Sequence, residues 1–414
     1  MASLQPVRGT HDLLPEAMRA HRRVIETARE VAERYGFDEM ATPIFEFTDV
    51  FRRTLGDTSD IVTKEMYTFT DKGGDELTLR PENTAGVARC FISEGLAQDV
   101  PLKVFCGGPM FRHERPQKGR LRQFHQIDIE IIGVPGPQAD VEVIAAGAAI
   151  LKALGIGDLT ALQLNTLGDA ESRGKFRDVL VAYFNDHLND LSEDSRDRLE
   201  RNPLRILDSK DEGDRKIVAG APDYADHLNQ ESADFFAGVT GGLDALDIAY
   251  TLDPKLVRGL DYYTHTAFEF TTTELGAQDA VMAGGRYDGL IGTMGGPETP
   301  GVGWAAGVER LVMLCGDPPP ARRPVALIPI GEAAEAVALE LSEALRAAGN
   351  RIDLGYGGNL NRRMKRANKI AAAAAVLIGE DELQRDVATV RDMETGEQEE
   401  VALAALEDHL ARYR

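Results

Sequence analysis

Residues 111–130 read FRHERPQKGRLRQFHQIDIE, and the alternation in their second half decides what this chain builds. Successive side chains of a strand point to opposite faces, which sets Ile127, Ile129 and Ile131 against Phe124, Gln126, Asp128 and Glu130. One face is core and the other a polar floor. Pro116 to Arg120 is rich in turn formers and charge, so 102–133 predicts two strands around a loop. On the outgoing strand Arg112 and Glu114 share a face. The hairpin therefore gathers guanidinium groups, carboxylates and an aromatic ring over one sheet. Such a set suits a nucleotide, with arginine for phosphate, a flat ring for the base and carboxylates for amines. Taken by itself, the stretch also reads as a salt-bridged surface hairpin.

Around this hairpin the chain has the composition of a globular protein. Its 414 residues allow two to three domains at about 150 residues each, and 43% apolar residues can supply cores. The N-terminus lacks the apolar segment of a secretory signal, and the longest apolar run, Ile370 to Ile378, is too short to span a bilayer. Cys90, Cys106 and Cys315 are odd in number and widely spaced, which opposes a disulfide framework and a zinc site and fits a reduced cytosol. The eight histidines show no metal spacing either, so neither a metal ligand nor a catalytic base is assigned among them, His113 and His125 included. A formal charge of −22 opposes nucleic-acid binding in general, but charge acts locally. Two stretches are basic: Arg112 to Arg122 carries five Lys/Arg against one acid, and Arg362 to Lys369 carries five and no acid.

Ala17, Val24, Ala28, Val31 and Tyr35 follow three-and-four spacing, which predicts a helix from about Pro15 to Tyr35 closed by Gly36. Met40 to Phe51 reads as extended chain broken by Pro43. From Ser172 to Asp244 the pattern turns helical and polar, and β-like segments resume at Ile248. Three consecutive prolines, 318–320, mark a linker, and beyond them strand and helix alternate as in a small α/β domain. The basic segment there predicts a helix with Leu360, Met364, Ala367 and Ala371 on its apolar stripe.

With its Arg-x-Glu strand, loop and returning aromatic strand, 111–130 resembles motif 2 of class II aminoacyl-tRNA synthetases. Gly301-Val-Gly-Trp-Ala-Ala-Gly-Val-Glu-Arg310 resembles their motif 3. Two further segments, LVRGLDYYT (256–264) and AGGRYDG (283–289), are similar to signatures of the histidyl-tRNA synthetase family. The resemblance runs from RGTHD (8–12) through LRPENTA (79–85) into the terminal domain. Asn83 is a departure, where the family more often has glycine. The implied fold is α+β: an antiparallel-sheet catalytic domain over 1–171 and 245–320, a helical insertion over 172–244, and an α/β anticodon-binding domain over 321–414.

The resemblance also implies roles. Arg112 and Arg258 hold the ATP α-phosphate; Arg120 and Arg310 reach the outer phosphates or adenine; Glu114 joins the ATP site and Phe124 stacks on the base. Glu130 and Tyr263 bracket the imidazole, Glu82, Thr84 and Gln126 take the amino-acid end, and Tyr287 closes the pocket with Tyr262 beside it. As plain packing, Tyr262 and Tyr263 read as strand aromatics in a core. Buried hydrogen-bonding groups of this kind reject an unmatched analogue by roughly 10⁴ to 10⁵, so an editing domain is unnecessary. Gln117 and Lys118 meet the acceptor end of the tRNA, and Arg362, Arg363 and Arg366 contact tRNA from the terminal domain. A solvated face is the plain reading of those arginines. Mg2+ accompanies ATP, and the chain forms a homodimer with Pro43 near its interface. Two rivals exist: a catalytically silent synthetase-like regulatory subunit of ATP phosphoribosyltransferase, and a class II synthetase for another amino acid. The intact segment at Arg258 and the complete domain after Pro324 oppose the first, and the segments at Arg258 and Arg286 the second.

Overall fold

The computed structural model describes residues 4–56, 61–117, 119–257, 262–276 and 280–414. They fall into two compact units, Met1–Pro318 and Pro319–Arg414.

The first unit opens with helix α1 (Pro15–Arg34), which buries Ala20, His21, Val24, Ala28, Val31 and Ala32 along one stripe. Ala17 lies outside this stripe, exposed. Gly36, at φ +77°, then reverses the chain in a conformation that disfavours other residues. Strand β1 (Asp38–Met40) and β2 (Phe45–Phe47) flank Pro43, but the expected extended run ends there. Thr48–Leu55 is helix α2, because Phe51 and Leu55, four apart, both bury completely on the side facing the core. Burial of that pair outweighs the β preference of the aromatic sequence before it. β3 (Tyr67–Thr70) and β4 (Glu76–Leu79) complete a three-stranded sheet with β2. Helix α3 (Thr84–Ser93) follows.

The hairpin is β5 (Leu102–Phe111) and β6 (Gln123–Ile132), antiparallel in register from Leu102↔Ile132 to Phe111↔Gln123. Because β5 ends at Phe111, Arg112 and Glu114 lie in the following loop and not on the strand face expected for them. Next come α4 (Gln138–Ala153), β7 (Ala161–Thr166) and helices α5 (Ala170–Asp186), α6 (Glu193–Arg201), α7 (Glu212–Val218) and α8 (Gln230–Ala245). Asp169, Ser192, Asp211 and Asn229 cap α5 to α8 through their side chains. Phe176, Leu180, Phe184, Leu199, Ile206 and Tyr224 of this helical stretch form a core that Leu167, Tyr263 and Ala267 also enter, whereas Val239 and Leu243 of α8 join the main one.

The chain re-enters the sheet with β8 (Tyr250–Leu252), β9 (Thr264–Thr271) and β10 (Ala280–Arg286). Short helix α9 (Leu290–Thr293), β11 (Gly301–Gly307) and helix α10 (Val308–Cys315) follow. The eight-stranded order is β1-β5-β6-β11-β10-β9-β7-β8. It is antiparallel from β5 to β7, with β1 and β8 added parallel at the edges. Ile127, Ile129 and Ile131 face a core shared with α1, α4, α8 and α10. The opposite face of the central strands stays open for the site.

In the second unit β12 (Val325–Pro329), helix α11 (Glu332–Ala347), β13 (Ile352–Leu354), helix α12 (Leu360–Lys369) and β14 (Ala374–Ile378) form the alternating part. β15 (Val387–Asp392) and β16 (Gln398–Ala402) then make a hairpin. The sheet order is β13-β12-β14-β15-β16. The stripe expected on α12 is corrected by the packing: Leu360 and Ala371 are exposed, while Arg363 and Ala367 are buried.

Candidate active site

A cavity of about 260 Å³ lies over the polar floor of β6. Small residues make the room for it. Gly303 pairs with Glu130, and a Cβ there would fall 1.7 Å from Glu130 Oε2; at Gly285 it would meet the backbone oxygen of Thr266 at 2.4 Å. Glycine is therefore a steric requirement at both positions.

The structure brings Glu82, Thr84, Arg112, Glu114, Arg120, Phe124, Gln126, Tyr262, Tyr263, Tyr287 and Arg310 to the wall of this one cavity. Glu130 lies just behind it. Thr84 Oγ1 donates to Glu130 Oε1 at 2.6 Å, and the Tyr287 hydroxyl donates to Oε2 at 2.5 Å. Burial pushes the Glu130 carboxyl up to about 8, against the pull of these two hydroxyls. Glu82 accepts from the backbone N–H groups of Thr84 (2.8 Å) and Ala85 (3.0 Å) at the start of α3. Burial raises its carboxyl too, with those amides and Arg112 opposing. Asn83, where glycine was expected, sits at φ −107°, ψ −27°, so no glycine-only backbone is needed there. Its Oδ1 accepts from Thr42 and from the buried Arg80.

Three arginines share the cavity wall. Arg112 donates from Nε to the Pro81 carbonyl (2.9 Å) and stands 5.3 Å from the centre of the Phe124 ring. Arg120 pairs with Glu114 at 2.8 Å, and Arg310 donates to the carbonyls of Gly119 and Ala280, so the motif 3 helix grips the motif 2 loop. The cavity thus offers arginines and a ring together with carboxylates, hydroxyls and an amide.

Some expected site residues fall elsewhere. Gln117 lines a separate cavity beside the loop, and Arg258 and Lys118 lie outside the described residues. Arg363, expected to face tRNA, is 7% exposed, donates to the Pro329 carbonyl and pairs with Glu335 at 2.8 Å, so its guanidinium is spent inside its own unit. Arg366 is exposed but paired with Asp353 at 2.7 Å. Sequence reasoning missed Arg286 as a structural ion. It is fully buried, bound to Asp140, Asp288 and the carbonyls of Val134 and Gly136. It also missed Glu309, which accepts from the His125 backbone N–H at 3.0 Å and contacts the ring Nδ1 at 2.9 Å. An Arg whose buried partner, Asp140, lies 146 residues away gives no local signal of such pairing.

An antiparallel sheet whose motif 2 hairpin and motif 3 strand and helix close over one nucleotide-sized cavity defines a class II aminoacyl-tRNA synthetase. The histidyl-tRNA synthetase family profile matches residues 9–311, and an anticodon binding domain profile matches 324–413. Histidine–tRNA ligases of Rhodospirillum rubrum and Gluconacetobacter diazotrophicus are 66% and 58% identical to the chain, over 100% and 99% of both proteins. The apo S. aureus histidyl-tRNA synthetase superposes with a TM-score of 0.83 at 34% identity, covering 98% of this chain and 99% of that one. The chain belongs to the histidyl-tRNA synthetase family. A Bacillus halodurans protein described as an ATP phosphoribosyltransferase regulatory subunit/histidyl-tRNA synthetase shares the fold at TM-score 0.63, 22% identity and 88% coverage of this chain. Full-length identity to the ligases favours the enzyme over the silent subunit.

Proposed function

We propose that the cavity makes histidyl-adenylate and passes histidine to tRNA with the residue roles that follow. The observation that carries this reading is one cavity lined both by Arg112, Arg120, Arg310 and Phe124 and by Glu82, Thr84, Gln126 and Tyr287. The histidine carboxylate attacks the α-phosphorus of ATP and pyrophosphate leaves. The 3′-terminal ribose hydroxyl of tRNA then attacks the acyl carbon and AMP leaves, its phosphate taking the proton. Arg112, with Arg258, stabilises the charge that grows on the α-phosphate. Phe124 stacks on adenine, and Arg120, Glu114 and Arg310 complete the nucleotide site. Glu130 and Tyr263 read the imidazole; Glu82, Thr84 and Gln126 hold the amino-acid end under Tyr287 and Tyr262.

Mg2+ would be held beside the phosphates by the cavity-lining Glu114 carboxylate, whose Oε2 pairs with Arg120 at 2.8 Å and whose oxygens are the donors this ion takes. When bound, it would offset phosphate charge.

Ile44, Phe45, Phe47 and Phe69 are all exposed on or beside the small β2-β4-β3 sheet, an apolar patch that supports a homodimer interface next to Pro43. Three free cysteines support a reducing, cytoplasmic setting, and no described helix is long and apolar enough to cross a membrane. Residues 172–244 serve as a helical insertion between the catalytic segments 1–171 and 245–320, and 321–414 as the anticodon reader. There Arg362 is exposed, and Tyr356, 83% exposed, offers a stacking surface for a base. Gln117 and Lys118 meet the acceptor end. The test is charging: the purified chain should transfer histidine to tRNA for histidine, and failure to acylate it in the presence of ATP and histidine would overturn the proposal.

A further inference from the structure

Among the described residues, one set of three side chains can share a metal ion: ligand atoms of His21, His125 and Glu309 all lie within 4.8 Å of one another. They come from α1, β6 and α10, which explains why no spacing in the sequence announced them. His21 is 4% exposed, and its Nδ1 has no hydrogen-bond partner. An unpaired buried nitrogen is costly, so this one wants an occupant. Edge-on packing of His21 against His125, at 5.4 Å between ring centres, does not satisfy it.

The other two groups already stand together, with Glu309 Oε1 2.9 Å from His125 Nδ1. An ion held between them would take the place of the proton at that contact, so that carboxylate oxygen and imidazole nitrogen both become ligands.

We propose that His21, His125 and Glu309 bind one divalent transition-metal ion of the zinc type. Two imidazoles and a carboxylate suit zinc or cobalt, and not magnesium or calcium, which take oxygen. With metal–ligand bonds of about 2.1 Å, ligands on a tetrahedral ion lie about 3.4 Å apart, so the side chains close on it by about an ångström. Three protein ligands leave a position open toward the neighbouring cavity, which His11, Gln117 and Gly119 also line. The ion ties α1 and α10 to the strand that returns from the motif 2 loop. This site is separate from the magnesium proposed beside ATP.

Equilibrium dialysis of the metal-stripped full chain against Zn2+, with Mg2+ in excess, tests it. One equivalent per chain should bind, and His21→Leu, which keeps an apolar side chain on the buried face of α1, should lose affinity by at least about 100-fold. Zn2+ should raise the thermal midpoint of the wild type and not that of the variant. Wild-type chain loaded with Co2+ should show strong visible ligand-field bands of a low-coordinate nitrogen and oxygen site, a reading that does not depend on the variant folding. Equal Zn2+ binding by wild type and His21→Leu, or a weak water-like cobalt spectrum, would mean adventitious ions on an acidic surface and would overturn the proposal.

Discussion

Glu130→Gln separates two consequences of one buried carboxyl. Its oxygens already accept from Thr84 and Tyr287, and the proposed imidazole N–H takes a remaining lone pair. A hydrogen bond to a carboxyl held neutral by burial is worth about 0.5–1.5 kcal/mol, so kcat/KM for histidine should fall by about twofold to about tenfold. The KM for ATP should change little. Stability should move in the opposite sense as pH rises. Because burial lifts this carboxyl from 4.5 to about 8, the folded state holds its proton longer than the unfolded state does. Wild-type stability from this group is full below the ordinary carboxyl range and is lost as pH rises through about 8, at up to about 1.4 kcal/mol per pH unit. The variant lacks that titration, so its stability relative to wild type should improve between about pH 4.5 and about pH 8. Histidine-dependent pyrophosphate exchange gives the first quantity and urea unfolding at several pH values the second. An unchanged kcat/KM for histidine, together with a pH-independent stability difference, would refute the reasoning.

Arg286→Met should destabilise the first unit by about 3–5 kcal/mol, since it strands the fully buried Asp140; an unfolding midpoint equal to wild type would show that the pair is dispensable. Arg258→Ala should cost about 2.7–4 kcal/mol in adenylate formation with the fold intact, so exchange within a few-fold of wild type would remove Arg258 from the α-phosphate. Truncation after Pro318, where the compact units divide, should spare much of the exchange but greatly lower tRNA charging and flatten its salt dependence; full-rate charging would deny the terminal unit its role. Gln117→Ala should keep exchange and weaken discrimination between tRNA with and without an extra 5′ guanosine, which comparative charging of the two would reveal.

The hairpin was legible because a strand of period two separates Ile127, Ile129 and Ile131 from Phe124, Gln126 and Glu130 without help from the rest of the chain. The helix over Pro15–Arg34 was legible for the same reason at period 3.6. Thr48–Leu55 was not, since its helix rests on burying Phe51 and Leu55 against other elements, a tertiary effect that local preference contradicts. Arg363 misled in a similar way: a basic segment reads as solvated, but the pocket formed by Pro329 and Glu335 draws this guanidinium inward. Arg286 with Asp140, and His21 with His125 and Glu309, are meetings of residues more than 100 positions apart, which periodicity cannot register.

Pyrophosphate exchange, run with ATP and each of the twenty amino acids in turn, tests the roles proposed in the cavity most directly. Histidine alone should support rapid exchange, because only an imidazole presents an N–H and an acceptor nitrogen on opposite edges of one flat ring. Exchange of similar rate with another amino acid, or none with histidine, would contradict the assignment of Glu130 and Tyr263 to the imidazole.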